Sequence, residues 1–214
     1  MPDDQQAPST DRPVHHVFYG ADPERPLAFT LPPVEATPET PLPDAGPFLR
    51  VCAGTEDAST VLFRVAVQLV GSWRYVHEQR PKDPTDLAQL NEQLNLAAWL
   101  IDREAGGHVK DVVYQADTPL SPSTYGQWVS WLVWKYVLYA LRQNDPKHSE
   151  RDAAELGWCI ESFNELVTAV RAGRLRLPPE QGPEGDGTAF PPRRVWPESP
   201  TRNPRADGSV PAGG

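Results

Sequence analysis

An arginine and a histidine stand at a joint between two apolar stretches, in the run Arg142-Gln-Asn-Asp-Pro-Lys-His148. Guanidinium groups grip phosphates and carboxylates through paired hydrogen bonds. Imidazole is the side chain that moves protons near neutral pH. His148 is expected in the first turn of a predicted helix, at the positive end of its dipole. The pair also has a purely structural use. Arg142 complements the C-terminal dipole of the helix before it, and His148 is then a solvated first-turn residue. A second set is acidic: Asp152, Glu155, Glu161 and Glu165. Glu161 and Glu165 are one turn apart and could share a metal if an acidic pair from Glu92, Asp102 and Glu104 faced them. All of these lie outside the apolar stripes, as residues of a solvated face do. His15, His16, His77 and His108 have no mutual spacing for zinc. Cys52 and Cys159 form no disulfide framework and read as small hydrophobes in a reducing compartment.

The Arg-x5-His joint in a four-helix domain resembles the pattern of HEPN-type ribonucleases. That resemblance implies a composite site between paired protomers and metal-independent cleavage, of a toxin or defence type. It makes His148 the general base or acid for attack by the RNA 2′-hydroxyl, with Arg142 holding the scissile phosphate. Gln143 departs from the pattern, because the family favours Asn, Asp or His after the arginine. Pro146 also interrupts the helix inside the motif. The carboxylates Asp152, Glu155, Glu161 and Glu165 are similar in kind to the helical metal sites of all-α nucleotide pyrophosphohydrolases.

The elements that must carry these residues follow from an uneven composition. Six of seven tryptophans lie between 51 and 177, and twenty of twenty-five prolines lie outside that span. The middle can build a core and the flanks mostly cannot. We expect a mostly α fold: a four-helix antiparallel domain over 54–177, an extended Pro-rich strap over 14–53, and disordered tails at 1–13 and 178–214. Within the strap, VHHVFYG (14–20), LAFTL (27–31) and FLRVCA (48–53) read as short strands, with a turn at Asp22-Pro23 and Pro26 between the first two. The strap is expected to lie along the helical core. The first predicted helix opens after Gly54 with Thr55 as cap and Glu56 and Asp57 in its first turn. The others open at Asp83-Pro84, Ser121-Pro122 and Asp145-Pro146, each joining a capping side chain to proline at the first helical position. Arg80-Pro81, Gly106-Gly107, Asn144 and Gly173 mark ends. The third predicted helix, around residues 125–143, is apolar almost all round and is expected to be central.

Side chains off the stripes suggest an interaction surface. Trp131, Trp134, Leu138 and Leu141 share a helix face with Gln127, Ser130, Lys135 and Arg142. Trp99 and Trp158 also point away from their stripes, Trp158 with Glu161 and Glu165 beside it. A large apolar patch rimmed by charge marks an interface. The strap or a second chain could equally cover it. Near the C-terminus FPPRRVWP (190–197) is a basic, aromatic island, with Phe190, Arg193, Arg194 and Trp196 as candidate docking residues. Charge constrains the partner. The chain carries a net −9, and no segment is basic enough to bind nucleic acid by phosphate neutralisation alone. The N-terminus has no apolar signal core, and no apolar run is long enough to span a bilayer. The expected function is a non-enzymatic interaction or scaffold module, cytoplasmic and without cofactor. It would bind a protein partner or a second copy as a homodimer. The ribonuclease using Arg142 and His148 is the alternative, and the only reading that brings in nucleic acid.

Overall fold

A computed structural model describes residues 33–179 and two short strands, β1 (His15–Phe18) and β2 (Leu27–Thr30). The strands pair antiparallel, His15 opposite Thr30 and Phe18 opposite Leu27. Both fall inside the segments read as strands. The turn at Asp22-Pro23 and the segment 180–214 lie outside the described residues. The described chain is mostly helical: α1 (Ala45–Cys52), α2 (Val61–Gln79), α3 (Pro84–His108), α4 (Tyr125–Arg142) and α5 (Ser149–Arg171).

The third predicted strand is instead α1. Asp44 caps it by accepting from the Gly46 amide. Ala45, Phe48 and Val51 recur at helical spacing and are all buried. A short apolar run does not by itself distinguish strand from helix; burial of one helical face decides here. The next helix begins later than Thr55. Thr55 closes the turn after α1, its amide and hydroxyl both donating to the Arg50 carbonyl, and Glu56 pairs with Arg50. Thr60 caps α2, and the Glu35 carboxylate takes the Val61 amide at 2.8 Å. A distant residue thus selects which of two threonines opens the helix.

α3 opens at Asp83-Pro84 as the sequence indicates, with Asp83 accepting from the Thr85 amide. α4 opens three residues beyond Ser121-Pro122. Thr124 and Gln127 form a reciprocal capping box, while the Ser121 amide donates to the Arg176 carbonyl. α5 opens at Ser149 instead of Asp145-Pro146. Asp145 holds the preceding turn through the Lys147 amide. Arg80 and Gly173 end their helices with positive φ, 49° and 67°.

α4 packs against each of the other four helices. Its Val129, Leu132 and Val133 meet Trp73 of α2, Leu94 and Ile101 of α3, and Phe163 and Val167 of α5 in one core. The α3–α4 contact is unusually close. A Cβ on Gly126 would stand 2.0 Å from the Ala98 carbonyl oxygen. The Gly126 amide donates to Asp102 at 2.6 Å, setting a carboxylate at the positive end of α4.

Residues 33–44 run over the helices and are tied down by side chains. Glu104 of α3 accepts from the Glu35 and Ala36 amides, both at 3.0 Å. Arg171 donates to the Leu42 carbonyl, Tyr125 to the Pro43 carbonyl, and the Ala45 amide to Asn164. Leu42 itself is buried in the core. Extended chain without a sheet partner needs such acceptors and donors for its amides and carbonyls.

Candidate functional site

Three of the residues singled out for chemistry, Arg142, Asp152 and Glu155, lie in the seam between α4 and α5 as members of ion pairs. Arg142 makes a two-point bond to Asp152, with Nε to Oδ2 and a terminal nitrogen to Oδ1 both at 2.7 Å. The Asp152 side chain is 3% exposed. Two turns earlier on α4, Lys135 donates to Glu155 at 2.6 Å and lies 4.4 Å from the centre of the Trp134 ring. Arg151 donates to the other Glu155 oxygen at 2.7 Å. Burial raises the pKa of Glu155, but the bonds from Lys135 and Arg151 outweigh it and hold the carboxyl below its ordinary range. The chain thus matches two cations of an apolar helix, the buried Lys135 and the half-exposed Arg142, to carboxylates one turn apart on α5.

His148 takes a different place from the one the ribonuclease pattern implies. It is the N-terminal cap residue of α5 without a side-chain cap bond, and its carbonyl accepts the Asp152 amide. Its ring is 43% exposed, and Nε2 stands 3.8 Å from Asp145. The imidazole that feels Arg142 is His77, in the last turn of α2. Burial lowers its pKa first, and the charges of Arg142 and Arg80 add to that, with Asp152 opposing. His77 Nε2 is buried with no hydrogen-bond partner. Sequence reasoning set His77 aside because it has no spacing to the other histidines that would suit zinc. Its neighbours arrive from α4 and α5. A guanidinium held at two points by a buried carboxylate is positioned by packing and has only its remaining N–H groups to offer a phosphate.

The acidic sets divide in the same way. Asp102 holds the start of α4 and Glu104 holds residues 35 and 36. Asp152 and Glu155 are in ion pairs. Among the described residues no group of His, Cys, Asp and Glu side chains is arranged to hold a metal. Glu104 is 1% exposed, and its Oε1 lacks a partner. No motif announces it, because the amides it serves lie some 69 positions away. Cys52 and Cys159 are free thiols whose pKa burial pushes up to about 12. Thiols of that kind are not nucleophiles at neutral pH.

The predicted aromatic interface is split. Trp99 and Trp131 are each only 7% exposed, so neither presents an open surface. Trp131 packs edge-on against Trp128 at 5.2 Å. Trp134 is half-buried and lies 5.8 Å from Trp73, whose indole donates to Ser130. The helical projection could not show that Trp134 packs on Trp73 of α2 while Lys135 and Arg142 pair with α5. Leu138 is half-buried, and Leu141 and Trp158 are exposed at 40% and 38%. Beside Leu141 a groove of about 230 Å³ is lined by Cys52, Val70, Arg74, Tyr136 and Ala140. Val67, one turn before Val70, is also exposed. The tail residues Phe190, Arg193, Arg194 and Trp196 lie outside the described residues.

No helix among the described residues is long and apolar enough to cross a membrane. No protein family, no curated protein and no solved structure matches the chain.

Proposed function

We propose that the chain is a non-enzymatic interaction module. In this reading a four-helix antiparallel domain binds a protein partner, or a second copy of itself as a homodimer, through the exposed end of α4 and through its tails. The observation that carries it is the apolar groove along α2 and α4, with Leu141 and Val67 exposed beside it. Covering a large apolar side chain is worth roughly 1.5–3 kcal/mol. Two or three such residues with the groove supply the core of a modest interface. Two free cysteines with no disulfide among the described residues fit a reducing, cytoplasmic setting.

Sedimentation equilibrium on the full chain tests the self-association form. Leu141→Arg should abolish concentration-dependent association while leaving the helical signal intact. Unchanged association in that variant would remove the groove from the reading. RNA cleavage by wild-type protein that disappears in both Arg142→Ala and His148→Ala would overturn it in favour of the ribonuclease.

A further inference from the structure

We infer that the cleft between the end of α2 and the start of α3 binds a neutral sugar ring, with Tyr75 as its wall and Asp86, Gln89 and Gln93 gripping its hydroxyls. The cleft shares no lining residue with the groove along α2 and α4, so this site stands apart from the one in the interaction reading.

The cleft comes from a polar stretch in an otherwise apolar seam. Further along, α3 sends Leu94 and Ile101 into the core, and both are fully buried. In its first turns it sets Asp86, Gln89 and Gln93 on one line, at helical spacing. Tyr75 of α2, 43% exposed, borders that line across the seam, and Leu90, 4% exposed, is the buried apolar residue beneath. The space they enclose is about 250 Å³. Other polar side chains between the helices are engaged by the fold: Asp102, Glu104, Asp152 and Glu155 each hold an amide or a cation. The side chains of Tyr75, Asp86, Gln89 and Gln93 make no hydrogen bond or ion pair among the described residues. A few convergent polar groups over an apolar floor are what orients a small ligand.

The lining selects the ligand by what it holds and by what it lacks. A tyrosine ring offers an apolar face with a polar tip. A sugar ring has C–H groups on its faces and hydroxyls around its edge, and so matches both. A primary amide both donates and accepts, and a carboxylate accepts only. Two amides and a carboxylate in a row therefore serve neighbouring hydroxyls, each of which is donor and acceptor at once. No Lys, Arg or His lines the cleft. Nothing there neutralises a phosphate or a carboxylate, and Asp86 repels it. Nucleotides and acidic sugars are thereby disfavoured. Sites for drug-sized ligands enclose about 300–1,000 Å³, so about 250 Å³ fits a single ring. With one aromatic wall the affinity should be weak, with a dissociation constant on the order of millimolar.

Saturation-transfer NMR on the full chain tests the site, with methyl glucopyranoside, methyl galactopyranoside and N-acetylglucosamine at millimolar concentration as probes. At least one pyranoside should receive transfer, strongest at the C–H protons of one ring face. Tyr75→Ala should abolish it, and so should Gln89→Ala with Gln93→Ala. Tyr75→Phe keeps the wall and should retain it. These side chains are exposed, so the thermal midpoint should hold and shows that each variant is folded. If Tyr75→Ala melts lower, the glutamine pair carries the test. Mannitol, an acyclic polyol, should receive little, because it has no rigid face to lay on the ring. The absence of transfer to every pyranoside overturns the inference. So does transfer that survives the variants, or transfer to mannitol as strong as to the sugars. Transfer to uridine with none to the pyranosides would make the cleft a base site and overturn it as well. The measurement leaves Leu141 untouched, so its failure is separate from failure of the association experiment above.

Discussion

Removing Arg142 should destabilise the fold, and removing Asp152 with it should restore most of the loss. Asp152 is 3% exposed and receives both of its side-chain hydrogen bonds from Arg142. In Arg142→Ala its charge stays in the seam without a partner. Breaking a buried ion pair this way costs about 3–5 kcal/mol. The Arg142 side chain is 36% exposed, so water can enter and a loss below that range, about 2–3 kcal/mol, is the better expectation. For a domain of this size each kcal/mol moves the midpoint by roughly 2–4 °C, so the single variant should melt about 4–12 °C lower. In Arg142→Ala with Asp152→Ala the stranded charge is gone, and most of that loss should be recovered. Thermal melts and urea titrations of the wild type, both singles and the double complete the cycle. If Arg142→Ala melts within about 1 °C of wild type, or the two losses simply add, the pair does not hold the seam. Arg142 would then be free for the phosphate-binding role that the ribonuclease resemblance implies.

Two further outcomes follow from the packing and the titrating groups. Gly126→Ala places a methyl 2.0 Å from the Ala98 carbonyl oxygen, where backbone and not a flexible side chain must move. We expect a loss of at least about 3 kcal/mol in urea titration, and a loss below about 1 kcal/mol would show that α3 and α4 are not held so closely. The folded pKa of His77 lies below its ordinary 6.5, so the unfolded chain binds its proton first as the pH falls. Its contribution is therefore complete above about pH 6.5 and is lost as the pH drops through the depressed folded value. His77→Gln should flatten that part of the stability–pH profile, and an unchanged slope between pH 7 and 5 would place the titration elsewhere.

The sequence alone marked out the helical mass of the chain, the central apolar α4, the start of α3 at Asp83-Pro84 and the helix ends at Arg80 and Gly173. Each of these is local. A cap, a proline at the first helical position or a left-handed residue acts within one turn, and an apolar stripe needs only its own helix to be seen. The same signals were ambiguous wherever two served equally well. Thr55 and Thr60 both suit a cap, and Glu35 from the strap decides between them. The reading at Ser121-Pro122 passed over Thr124 and Gln127, whose capping box opens α4. The six residues 48–53 read as a strand, and the packing of Phe48 and Val51 under the bundle makes them part of a helix instead. What only the tertiary structure decided is the meaning of the charged residues. Arg142 and His148 are close in the chain, yet Arg142 binds Asp152, His148 stays at the surface, and the imidazole near Arg142 is His77 from another helix. Glu104 serves amides far away in the chain, and Trp99 and Trp131 are enclosed while Trp158 remains exposed. Spacing along a helix tells which side chains share a face. Which face is covered, and by what, depends on helices that meet across the core, because burial and charge pairing are properties of the packed chain.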